Sequence, residues 1–229
     1  MTDEQVARLA RLDSCAVSDA LDALGLNGAA LGLHALTGGV RVAGRVLTVD
    51  LRPADSAGAA PAPAAPRHLG TAAVEAAAPG EVIVVSAGGR TDAAGWGGVL
   101  ALAAVTRGVA GVVVDGACRD VDEARDLGLP VYARTGVPRT ARGRLREVAW
   151  NEPVEVAGVA VRPGDAVIAD GSGVVFVPSG QAAAVLARAE AIAAREAAMA
   201  DRVRAGEPVS RVMSGDYETM LHDEGNPHD

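Results

Sequence analysis

Residues 81–115, EVIVVSAGGRTDAAGWGGVLALAAVTRGVAGVVVD, decide the fold class. The runs EVIVVS (81–86) and AGVVVD (110–115) are apolar, rich in valine and too short for helices. Such runs mark strands covered on both faces of a parallel sheet. Between them GGVLALAAVTR (97–107) has a helical composition, with Gly108 as a stop signal. The intervening AGGRTDAAGWG reads as a loop. Strand, helix and strand of these lengths form a βαβ unit. The carboxyl ends of its strands and the start of its helix share one sheet edge, where α/β folds bind ligands.

Outward from this unit, residues 4–12 and 14–24 read as short helices, with Ser14 as N-cap of the second and Gly25 as its stop. Residues 40–51 (VRVAGRVLTVDL) alternate like a half-buried strand. The Ala/Pro run PADSAGAAPAPAAP (53–66) reads as an extended surface loop, with an active-site lid as the competing reading. A helix is expected over 68–78, ended by Pro79-Gly80. A helix at 120–127 and a strand at 131–133 add a further αβ pair. Residues 147–150, 154–161, 166–170 and 174–177 read as short strands separated by turn signals, and 181–205 as a long Ala- and Arg-rich helix. The expected organisation is one domain over 1–206 and a polar, acidic tail over 207–229, with a short helix near 217–221.

Composition narrows the chemistry. Of 229 residues, 49% are hydrophobic but only 2% aromatic, so the core must be built from Val, Leu, Ile and Ala. A net charge of −8 argues against a nucleic-acid surface. No apolar run approaches a membrane span, and the N-terminal MTDEQVARLARLDS is polar rather than a secretory leader, so the expected location is the cytoplasm. Two cysteines, Cys15 and Cys118, are too few for a disulfide framework. The sequence contains no lysine; all 21 basic residues are arginine. This excludes a Schiff-base aldolase, a pyridoxal-phosphate enzyme and a Walker-type phosphate loop, each of which requires a lysine.

The candidate site lies at the βαβ edge. The free N–H groups of Gly97, Gly98, Val99 and Leu100 at the helix start favour an anion. Arg119 follows the second strand by four residues and can reach the same crevice, where its fork matches the carboxylate or keto group of a 2-oxo acid. Asp120 is a hard oxygen ligand suited to Mg²⁺ or Mn²⁺. Cys118 has two readings, a core residue or a thiol activated by Arg119. Asp170-Gly171-Ser172-Gly173 reads as a turn between strands. His34, His68, His222 and His228 show no metal-ligand spacing, no G-x-S-x-G is present, and AGWGG lacks dinucleotide-binding spacing.

Several motifs together resemble one family. They are Ser18-Asp19-Ala20-Leu21-Asp22 with Gly25, Trp96-Gly97, Asp115-Gly116-x-x-Arg119-Asp120, Pro130-Val131, Pro163-Gly164-Asp165 and Asp170-x-x-Gly173-Val174-Val175-x-Val177-Pro178. The chain is similar over most of residues 10–205 to the RraA-like family, which includes the divalent-metal-dependent (class II) 4-hydroxy-4-methyl-2-oxoglutarate aldolases. The resemblance implies an α/β fold of the β/β/α swivelling type with a βαβ core and a long C-terminal helix. It also implies a homotrimer or a pair of trimers, with active sites at subunit boundaries. Carried over, the helix-start amides (Gly97, Gly98, Val99, Leu100) hold the pyruvate carboxylate. Arg119 holds the keto oxygen and stabilises the enolate, and Asp120 binds Mg²⁺. A neighbour's C-terminal helix contributes a glutamate near the metal, for which Glu196 is the best match and Glu190 the next.

One position departs from the pattern. The aldolases carry an acid twenty residues before the Arg-Asp pair, and here that position is Gly98. Losing such an acid costs about 10–100-fold in metal affinity or activity. Asp92, in the preceding loop, is a possible replacement. Three readings follow. One is a lyase that cleaves an aldol to pyruvate or decarboxylates oxaloacetate. Another is a non-catalytic protein that regulates a ribonuclease by contact, as the family's namesake group does. The third is an enzyme of specialised metabolism that kept the pocket and changed the reaction.

Overall fold

The computed structural model describes residues 1–55 and 68–213. The 53–66 loop lies almost wholly outside the described residues, as does the helix expected near 217–221. The βαβ unit is present as β4 (Val82–Trp96), α4 (Gly98–Thr106) and β5 (Gly111–Cys118). Before it come α1 (Asp3–Leu9), α2 (Ser14–Ala23), β1 (Ala29–Ala30), β2 (His34–Ala35), β3 (Val42–Pro53) and α3 (Thr71–Ala76). After it come α5 (Val121–Asp126), β6 (Val131–Gly136), β7 (Leu145–Trp150), β8 (Val154–Val156), β9 (Val159–Val161), β10 (Ala166–Asp170) and β11 (Gly173–Val177). The long helix α6 (Ala182–Arg204) and a short α7 (Val209–Val212) complete the described chain, α7 falling in the segment expected to be tail.

The large sheet runs β1-β11-β10-β3-β4-β5-β6-β2, and β7 pairs with β3. Strands β3, β4, β5 and β6 are parallel neighbours. Antiparallel pairings add β10 and β11 on one side and β2 on the other. Strand β3 joins the two parts: its first residues, 42–45, pair with β10, and residues 46–50 pair with β4. This is the mixed α/β architecture the resemblance implies, with a βαβ core and a long C-terminal helix.

Period-two alternation explains why the central strands are apolar throughout. Ile83, Val85, Val112 and Val114 face one core, beneath α3, α4 and α5. Val82, Val84 and Val113 face the opposite core, beneath the β8–β9 hairpin. A third core packs α1, α2 and α6 on β10 and β11. The few aromatics sit inside, with Trp96, Tyr132 and Phe176 each buried.

Four expectations change at this level. The segment expected to be a loop, AGGRTDAAGWG, is the second half of β4. It regains pairing with β5 at Arg90, Ala94 and Trp96 through three register shifts. Gly88 and Gly89, both at positive φ, turn the chain away, and buried Ala93 and Trp96 bring it back. The N-cap of α2 is Asp13, whose carboxylate accepts from the Ala16 N–H at 2.8 Å. Ser14 is instead buried and donates its N–H and hydroxyl to Asp170 at 2.8 and 2.7 Å. The helix expected over 68–78 shortens to Thr71–Ala76, because Gly70 in the left-handed conformation stands at its start. The strand expected over 154–161 is a hairpin that turns at Ala157 and Gly158, both at positive φ.

Candidate functional site

The returning half of β4 builds the site. It ends at Trp96, whose carbonyl accepts the Arg119 N–H at 3.0 Å, so the start of α4 lies directly beside the end of β5. Gly97 has an extended backbone that any residue could adopt; what it lacks is space. A Cβ there would come within 3.0 Å of both Arg119 Cγ and Asp120 Oδ2. Asp120 itself is left-handed at φ 55°, ψ 41°, a conformation uncommon outside glycine and tolerated best by Asn and Asp. Strain of this kind is retained mainly at functional sites, and here it turns the chain sharply from β5 into α5.

The two charged side chains interlock. Arg119 Nε lies 3.1 Å from both carboxylate oxygens of Asp120. Asp120 Oδ2 also accepts the Gly98 N–H at 2.9 Å. This amide bond is the main reason the Asp120 pKa falls below the ordinary carboxylate value; burial opposes the shift and Arg119 adds to it. The helix-start donors therefore divide. Gly98 N–H serves Asp120, whereas those of Val99 and Leu100, in the first turn, have no intrahelical acceptor. Both flank a cavity of about 420 Å³ that Trp96, Gly97, Gly98, Arg119 and Asp120 also line.

The other wall of the cavity was not visible from the sequence. Thr140, Ala141 and Arg142, from the connection between β6 and β7, line it together with His68 and Leu69. Arg142 contributes a second guanidinium, which lies in a polar stretch with no periodic pattern to single it out. Trp96, 2% exposed, carries an indole Nε1–H without a hydrogen-bond partner among the described residues.

Other expected residues fall elsewhere. Asp92 is held by Arg90 through a two-pronged contact at 2.8 Å on each oxygen and does not line the cavity, so it does not replace the missing acid. Cys118 is 1% exposed in the core, and burial pushes its thiol pKa far up; Arg119 does not activate it. Glu190 is paired with Arg8 at 2.8 and 2.7 Å. Glu196 does not line its own chain's cavity; burial, then Asp13 and Asp19, push its pKa up. Among the described residues, no three His, Cys, Asp or Glu side chains group closely enough to hold a metal ion. No helix among them is long and apolar enough to cross a membrane.

Known proteins resemble this chain over the same elements. The RraA-like family model, described as Aldolase/RraA, matches residues 14–176, and the chain belongs to that family. A 4-hydroxy-4-methyl-2-oxoglutarate aldolase from Thermus thermophilus is 39% identical over 100 residues, covering 43% of this chain and 60% of that one. Protein DlpA of Legionella pneumophila is 32% identical over 75% of this chain, but the match spans only 27% of DlpA. Streptomyces coelicolor RraAS2, described as an unusual member of the RNase ES inhibitor RraA protein family, superposes with a TM-score of 0.74 at 29% identity. That match covers 88% of this chain and 97% of RraAS2.

Proposed function

We propose that the chain is a carbon–carbon lyase acting on a 2-oxo acid, with pyruvate as a product. The observation that carries this reading is the convergence of Arg119, Asp120 and the α4 start on one cavity. The Val99 and Leu100 amides bind the substrate carboxylate. The Arg119 guanidinium meets the keto oxygen. As the C3–C4 bond of a 4-hydroxy-2-oxo acid breaks, the 4-hydroxyl loses its proton and the bonding pair moves into a C2–C3 enolate. Arg119 stabilises the oxygen of that enolate, and protonation at C3 completes pyruvate. Decarboxylation of oxaloacetate leaves the same enolate, so the same residues serve it. One oriented donor at such an oxygen is worth about 2.7–4 kcal/mol. Arg142, on the opposite wall, suits the distal carboxylate of either substrate.

A divalent cation fits the donor set. The carboxylate at the α4 start is that of Asp120, a ligand type Mg²⁺ and Mn²⁺ prefer, and Asp120 would be the primary ligand. When bound, the cation supplies Lewis-acid polarisation. Glu196 from a neighbouring copy in a trimer or hexamer would approach the same site.

The test is pyruvate release from 4-hydroxy-4-methyl-2-oxoglutarate and from oxaloacetate with Mg²⁺ or Mn²⁺. Release that Arg119→Ala abolishes supports the lyase, and its absence with both substrates overturns it. The likeness to RraAS2 favours a second reading, ribonuclease regulation by protein contact. In that case Arg119→Ala leaves ribonuclease inhibition intact.

A further inference from the structure

Building on the lyase reading of the cavity, we propose that His68 is the proton carrier of aldol cleavage. It takes the proton of the substrate 4-hydroxyl as the C3–C4 bond breaks, and returns it to C3 of the enolate. The reaction needs such a group. The bonding pair can leave C4 only as the hydroxyl becomes a carbonyl, and pyruvate forms only when a proton reaches C3.

The lining of the cavity leaves one candidate. Among the described residues, the charged or titratable side chains on it are Arg119, Asp120, Arg142 and His68. A guanidinium stays protonated and accepts nothing. Asp120 is a weak base, because the Gly98 N–H and, after it, Arg119 hold its pKa below the ordinary value against the effect of burial. The Thr140 hydroxyl, also on the lining, does not take up a proton near neutrality. Imidazole does: with an ordinary pKa of about 6.5, it is the side chain that both accepts and releases a proton there.

Local structure holds His68 at the cavity and orients its ring. Its carbonyl accepts the Thr71 N–H at 3.2 Å and the Thr71 hydroxyl at 2.7 Å. Gly70, left-handed, donates its N–H to Glu147 Oε2 at 2.6 Å, which ties the turn to β7. The same glycine packs on two other lining residues: a Cβ there would lie 3.5 Å from Trp96 Cζ3 and 3.6 Å from Leu100 Cδ1. The imidazole Nδ1 lies 3.4 Å from the Leu69 carbonyl oxygen. A carbonyl only accepts, so Nδ1 carries the ring hydrogen and Nε2 keeps its lone pair for the substrate hydroxyl. His68 is exposed, so no rearrangement of the core is needed for substrate to reach it.

Two substrates separate this role from the rest of the site. Cleavage of 4-hydroxy-4-methyl-2-oxoglutarate needs the base. Oxaloacetate does not: its departing carboxylate is already ionised, CO₂ leaves without a proton transfer, and the enolate is protonated from solvent. His68→Ala therefore lowers kcat for aldol cleavage about 10²–10⁴-fold with KM near the wild-type value. CO₂ release from oxaloacetate and the thermal midpoint stay near wild type. Added imidazole raises the aldol rate of His68→Ala but not that of Arg119→Ala. An unchanged aldol rate in His68→Ala overturns the proposal, as does an equal loss of both reactions or a loss that imidazole does not relieve. A wild type that decarboxylates oxaloacetate but cleaves no aldol also overturns it and leaves the lyase reading standing. If the wild type releases pyruvate from neither substrate, the two fall together.

Discussion

Asp120, just past the end of β5, and the acids of the antiparallel half belong to the same set of family motifs, yet their surroundings are opposite. In the antiparallel half, Asp165 is buried and accepts the Arg162 and Ser179 N–H groups at 2.9 and 2.8 Å. Asp170 accepts the N–H and hydroxyl of Ser14 and the N–H of Ser172. These carboxylates spend their lone pairs within the chain, tying α2 and the start of α6 to β10 and β11. Asp115 behaves alike, joining Arg134 at 2.6 Å to the Ala157 N–H at 2.9 Å at the turn of the β8–β9 hairpin. Past the end of β5, Asp120 is partly exposed beside a cavity. An acid inside a motif is thus structural or functional according to whether its acceptor capacity is already used.

The largest expected effect falls on the cavity side. Arg119→Ala lowers kcat for pyruvate release about 10²–10³-fold with little change in melting temperature, because its side chain is 41% exposed and braces no core. A matching loss of stability would erase the contrast. Asp120→Asn comes next, lowering Mn²⁺ affinity about 10–100-fold in a titration followed by electron paramagnetic resonance. In the antiparallel half the order of effects reverses. Asp170→Ala leaves the Ser14 donors unpaired and costs about 1–3 kcal/mol in denaturant unfolding while Mn²⁺ affinity stays at the wild-type value.

Acid titration sharpens the same point. Burial pushes the Asp170 pKa up, but the bonds from Ser14 and Ser172, with Arg41 nearby, outweigh it and hold the value below the ordinary one. A depressed folded-state pKa contributes stability above the unfolded value, about 3.9, which is lost as pH falls through the folded value. Asp170→Asn therefore shows a shallower loss of stability below about pH 4 than the wild type. The smallest effect is expected at Asp92→Ala. It removes only a surface pair with Arg90, so activity and melting temperature both stay near wild type.

The strands 82–86 and 111–115 were legible because covering both faces of a sheet demands an unbroken apolar run. Arg119 and Asp120 were legible because they follow such a strand directly. The rest of β4 was hidden. Gly88, Gly89, Arg90 and Asp92 carry loop chemistry, and the strand resumes only through bulges that side-chain periodicity does not report. Ser14 had the composition of a cap, but its donors were claimed by Asp170, 156 residues away, and Asp13 took the capping role. Reading Gly98 alone suggested a weakened site.

A crystal of the full chain grown with Mn²⁺ and pyruvate, with anomalous data collected for manganese, tests this account most directly. The expected result is one anomalous peak at the Asp120 carboxylate, with the pyruvate carboxylate on the Val99 and Leu100 amides and its keto oxygen at Arg119. Manganese away from Asp120, or pyruvate seated elsewhere in the cavity, would contradict it.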